Sequence, residues 1–102
     1  MNLYLRKDIH LQALDNCRVI NKGDGLEVEI GSISIQLGSG ASEYWAWAID
    51  TVIPMRAHQT QGRGTDRADS MRKFIEAWAR FAADEANLSM FLAEKRWARR
   101  PT

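Results

Sequence analysis

The stretch LEVEIGSISIQL, residues 26–37, constrains the fold more than any other part of the chain. Apolar residues occupy positions 26, 28 and 30, then 33, 35 and 37, so a strict two-residue alternation slips by one at Gly31–Ser32. Alternation of this kind belongs to β-structure with one buried face. The slip requires a change in the backbone at Gly31. A two-residue turn with glycine at its first position would fold the stretch into a hairpin. It would pair Ile30 with Ile33, Val28 with Ile35 and Leu26 with Leu37, all six on one face, with Glu27, Glu29, Ser34 and Gln36 on the other. A β-bulge at Gly31 produces the same slip without a turn. The hairpin is the expectation, because it sets like against like across the strands.

The segments on either side extend the sheet. CRVIN (17–21) is separated from the hairpin by the turn-rich KGDG and reads as a strand with Val19 opposite Val28. Residues 1–15 are ambiguous, although Leu3 and Leu5 alternate as in a short strand. After the turn GSGASE, the run YWAWAID alternates strictly. Trp45, Trp47 and Ile49 share one face; Tyr44, Ala46 and Ala48 share the other. MRAHQTQ (55–61), which follows Pro54, reads as a polar edge strand.

From Thr65 the period changes. Met71, Phe74, Ile75, Trp78, Phe81 and Ala82 recur at spacings of three and four, one stripe of an amphipathic helix expected over 66–86. Asn87 and Ser89 mark a break or a new cap, and LSMFLAEKRWARR then reads as a second, shorter helix. Strands precede helices, and a chain of 102 residues is near the common domain size. The expectation is one α+β domain over 1–102: an antiparallel meander sheet of four or five strands packed by a C-terminal amphipathic helix, with a second short helix.

Three stretches are candidates for function. In QGRGTDRADSM (61–71), Arg63, Gly64, Thr65 and Arg67 have the composition of a phosphate cradle at a helix N-terminus. The dinucleotide fingerprint fails, because its third small residue falls on Arg67, and the P-loop pattern fails for want of Gly-Lys-Ser/Thr. Asp66 and Asp69 would compete with any anion for the same amides. A helix start with Thr65 or Asp66 as N-cap is therefore preferred. Trp45 and Trp47 could form a stacking platform or a partner surface, but packing beneath the helix is the expectation for large aromatics. The tail carries Lys95, Arg96, Arg99 and Arg100 around Trp97, a pattern suited to gripping phosphate and equally to a solvated helix end.

Catalysis and metal binding find little support. His10 and His58 lack ligand spacing, and Cys17 is the single cysteine, which excludes an internal disulfide and a cysteine zinc cluster. No nucleophile, base and orienting group stand together. No cofactor is expected. The N-terminal MNLYLRKDIHLQALDN has no apolar core of a signal peptide, and YWAWAI is far short of a membrane span. The reading is a soluble cytoplasmic protein with no membrane partner.

The run from Tyr44 to Phe81 resembles short bacterial proteins of unassigned function that carry a W-x-W strand followed by a helix opened by Gly and Thr or Ser. More faintly, Trp45, Trp47, Gly64, Thr65, Asp66, Ala68 and Phe74 resemble the small three-strand-plus-helix DNA-binding domains, the AP2-type and integrase arm-binding families. That resemblance implies recognition of DNA by residues projecting from the sheet, where this chain has Glu27 and Glu29. The leading expectation is a non-enzymatic protein-interaction module that self-associates, with Trp45, Trp47, Phe91, Leu92 and Trp97 as the interface. The second is nucleic-acid binding through the basic half. Residues 51–102 carry ten Lys/Arg against six Asp/Glu, whereas residues 1–50 carry four against seven. Arg56, Arg63, Arg67, Arg72, Lys73 and the cluster at 95–100 would then make the contacts.

Overall fold

The computed structural model describes residues 2–7, 16–23, 26–37, 43–55 and 58–98. Five strands run in sequence order across one antiparallel sheet: β1 (Asn2–Lys7), β2 (Cys17–Gly23), β3 (Leu26–Leu37), β4 (Glu43–Ile49) and β5 (Gln61–Gly64). Two helices follow, α1 (Arg67–Ala82) and α2 (Glu85–Ala98). The meander with C-terminal helices is the α+β arrangement expected. Among the described residues, no helix is long and apolar enough to cross a membrane.

The hairpin expected at Gly31–Ser32 does not form. β3 is one continuous strand of 12 residues, the central strand of the sheet, paired with β2 on one side and β4 on the other. The phase slip is a bulge: Val19 pairs with Gly31 and Ile20 with Glu29, so Ile30 is the extra residue. A bulge places two successive residues over one partner. Ile30 is fully buried in the core cluster, while Gly31 lies under the Phe74 ring. Val19 is therefore opposite Gly31, and Val28 is opposite Asn21 rather than Val19.

Two further boundaries differ from expectation. The edge strand is QGRG, and of the described residues among 55–61 only Gln61 belongs to it. Val52, Ile53 and Met55 instead fold over the core from the β4–β5 connection. The helical region is broken at Ala83–Asp84, where Asp84 accepts from the Asn87 amide at 3.1 Å and starts α2 before Asn87.

One face of the sheet carries the core. Val19, Ile30, Ile33, Trp47 and Ile49 meet Phe74, Ala77, Trp78 and Phe81 of α1, and Phe91 brings in α2. Trp78, Phe81 and Phe91 form a cluster with ring centroids 5.1–5.7 Å apart, within the range where offset and edge-on pairs are favourable. Ser70 and Ala77 occupy the buried face of α1. Ile75, expected on that face, is 44% exposed. Ser70, Phe74, Ala77, Trp78 and Phe81 centre the buried face, and Ile75, about 100° round the helix from Phe74, falls outside it. Gly64 lets α1 come close, since a Cβ there would stand 2.2 Å from the Ser70 Oγ.

An ionic chain ties α2 to the sheet. Asp50 Oδ2 accepts from Arg18 at 2.5 Å and from Lys95 at 2.6 Å. Arg18 also reaches Glu29 at 3.4 Å, and Glu29 in turn pairs with Arg6.

Candidate functional site

QGRG and TDR, the two halves of the stretch that suggested a phosphate cradle, do different work. Antiparallel pairing of Trp45 with Gly64, Ala46 with Arg63, Trp47 with Gly62 and Ala48 with Gln61 fixes which way each residue points. Gly62 and Gly64 face α1, and Arg63 and Gln61 face away from it. The glycines are packing devices. A Cβ at Gly62 would stand 2.8 Å from the Trp47 Nε1, and one at Gly64 would strike Ser70.

The TDR half is a helix cap. Asp66 is the N-cap and accepts from the Asp69 amide at 2.7 Å, while Asp69 Oδ2 accepts from the Thr65 amide at 2.9 Å. Hydrogen bonding from the Thr65 amide, then from Arg72, holds the Asp69 carboxyl well below the usual carboxylate range. The Thr65 and Asp69 amides are held by the chain's own carboxylates, which compete with any phosphate at this helix start. The cap accounts for Thr65, and packing against Ser70 accounts for Gly64.

The arginines remain. The Arg63 guanidinium lies 3.9 Å above the Tyr44 ring on the outer face of the sheet. Arg67 lies 5.7 Å from the Trp45 ring on the other face. Neither pairs with a carboxylate among the described residues, and both are exposed. Stacking on an aromatic holds the guanidinium plane in place and leaves its N–H donors at the rim.

Two concavities flank the β5 edge and share Trp47, Gly62 and Arg63. The outer one, about 380 Å³, has Ala46 and Ala48 in its floor and Gln36, Tyr44, Gln61 and Arg63 around it. The other, about 270 Å³, lies between β5 and α1 and is walled by Arg63, Lys73, Arg80, Glu76 and Gln59. The edge between them is blunted against strand addition. The Arg63 carbonyl accepts from Lys73 Nζ at 3.0 Å, and the Gln61 carbonyl from the Gln59 amide at 3.2 Å.

The remaining candidates are dispersed. Lys95 is held by Asp50 and its side chain is 14% exposed, so its ammonium serves the α2 clamp. Arg72 is spent on Asp69 and Glu76 at 2.8 and 2.9 Å. Lys73 divides between Asp69 and the Arg63 carbonyl. Arg96 is exposed on α2. Arg56, Arg99, Arg100 and the side chain of Trp97 lie outside the described residues. The expected interface is largely internal: Trp47 is 3% exposed, Phe91 is fully buried, and Trp45 and Leu92 pack partly buried against the core. Aromatic bulk needed for a core this small has been used there.

Sequence reasoning did not find Tyr44, Gln36, Gln61 or Arg80. Arg80 was within reach, since 73, 76 and 80 share a helix face. Tyr44 and Gln36 join Arg63 only through the strand register, which no local pattern specifies. Among the described residues, no three His, Cys, Asp or Glu side chains converge as metal ligands would. The chain matches no family model, no curated protein and no solved structure.

Proposed function

We propose that this protein is a non-enzymatic binding module that takes a nucleic acid across β4–β5 and the start of α1. One observation carries the reading: Arg63 stacks over Tyr44 on one face of β4 and Arg67 lies within cation–π range of Trp45 on the other, and neither has a carboxylate partner among the described residues. Paired arginines on exposed helices are ordinary surface; preorganised arginines without an anion are an offer to one. Beside them, Gln36 and Gln61 supply amide donors and acceptors around an alanine floor, suited to base edges. On β3, Glu29 is matched by Arg6 and Arg18.

The test is fluorescence anisotropy of a labelled single-stranded oligonucleotide at 50 and 200 mM salt. Neutralising about three phosphates gives a log–log salt slope near −2. Arg63→Glu with Arg67→Glu abolishes binding, and Arg96→Glu leaves most of it. Absence of binding at the lower salt, or binding indifferent to salt, would sink the proposal.

Self-association is the second reading. With the expected aromatics internal, it rests on Ile75 and Met90, which are 44% and 52% exposed. Sedimentation of the wild type and of Ile75→Glu, across a hundredfold range of concentration, decides it. A monomer throughout ends that reading.

A further inference from the structure

The cleft between β5 and α1 has chemistry of its own. Its walls bring Lys73 and Arg80 of the helix to one space of about 270 Å³, against a single carboxylate, Glu76, while the Arg63 guanidinium lies over Tyr44 on the outer face of the sheet. That carboxylate is already engaged by Arg72 at 2.9 Å. Trp47, 3% exposed, contributes to the lining, and its Nε1 is a buried donor with no acceptor. The indole reaches this point because Gly62 has no Cβ; one there would lie 2.8 Å from the Nε1. Buried N–H groups are nearly always paired, and an orphan beside a cationic cleft points to an acceptor that arrives with a ligand. Trp78 Nε1 is also unpartnered but does not line this cleft, which makes it the internal control.

We infer that this cleft is an oxyanion subsite that takes a phosphate group, with Lys73 and Arg80 as its cationic contacts and Trp47 Nε1–H as the buried donor. Donors converge from the helix and from the floor. A tetrahedral oxyanion can meet both directions at once, whereas a planar carboxylate presents its two oxygens in one plane. The inference deepens the nucleic-acid reading, since a backbone phosphate lodged here would place the adjoining base over the β5 edge toward Gln61 and Tyr44. A free phosphate and a phosphodiester share this chemistry.

The experiment follows the indole ¹H–¹⁵N resonances of the labelled full chain. Inorganic phosphate is titrated at constant ionic strength, with chloride and acetate as controls, and then a short single-stranded oligonucleotide. The expected result is a saturable downfield shift of the Trp47 indole with phosphate, while the Trp78 indole stays in place. Arg80→Ala, at an exposed position, weakens the phosphate response at least fivefold, and Arg96→Ala leaves it unchanged. Movement with phosphate but not with the oligonucleotide sustains the subsite and removes the nucleic-acid function. Oligonucleotide binding seen by anisotropy with a stationary Trp47 indole does the reverse. An equal response to acetate, or no response to phosphate, overturns the inference.

Discussion

Gly31→Ala is the substitution that most directly tests the bulge and the packing above it. Its Cβ would stand 2.2 Å from the Ala48 carbonyl oxygen and 2.4 and 2.7 Å from two carbons of the Phe74 ring, where ordinary contact begins at 3.4 Å. Neither neighbour can yield cheaply. Ala48 is held between Ser32 and Gln61 in the middle of the sheet, and Phe74 is fully buried with Trp47 edge-on at 6.2 Å. Overpacking a well-filled core costs roughly 1–3 kcal/mol, and a methyl caught between a fixed carbonyl and a fixed ring belongs at the upper end, about 3 kcal/mol. Urea unfolding is the assay. With a slope of about 1.5 kcal/mol/M the midpoint falls by about 2 M, and the slope itself is unchanged. Phe74→Leu in the Gly31→Ala background relieves the ring clash but not the carbonyl clash, so the two changes couple favourably by about 1 kcal/mol. A Gly31→Ala protein within about 0.5 kcal/mol of wild type would refute the packing and return the hairpin to consideration.

Three other expectations follow from single contacts. Asp50→Ala strands Arg18 and Lys95 together, costs about 2 kcal/mol, and shows in hydrogen exchange as early loss of protection in α2 while β3 keeps its own. Asp66→Ala removes the α1 cap and lowers stability by about 1 kcal/mol, measured by the same urea titration. Asp69 has a depressed folded-state pKa, so its contribution is complete above the unfolded value near 4 and is lost as pH falls further. The melting temperature of the wild type should therefore drop below pH 4 more steeply than that of Asp69→Asn, and parallel profiles would contradict the hydrogen bonds assigned to Asp69.

The candidate surface divides into parts that were legible in the sequence and parts that were not. Arg63 and Arg67 stood out as cations beside glycines, and the carboxylates at 66 and 69 already argued for a cap over a cradle. The structure gives the N-cap to Asp66 and assigns Gly62 and Gly64 to packing against Trp47 and Ser70. Lys95 read as a free cation because its partner, Asp50, is 45 residues away. No window of sequence carries that distance. Trp47 and Phe91 went to the core for an energetic reason: the α1 face needs matching bulk, and burial of large rings dominates a core of this size.

Alternation alone determined that residues 26–37 and 44–49 form strands with one apolar face, and the three-four spacing alone determined a helix after Thr65. Both are properties of the backbone period, which each residue expresses locally. Whether the slip at Gly31 becomes a turn or a bulge was settled only by tertiary structure. The two possibilities give identical faces, and they differ only in which strands lie alongside β3. The same holds for the cleft. Gly62, Trp47 and Arg80 meet because β5 pairs with β4 in one register and α1 settles on Gly64, and both conditions are contacts between parts of the chain that are distant in sequence.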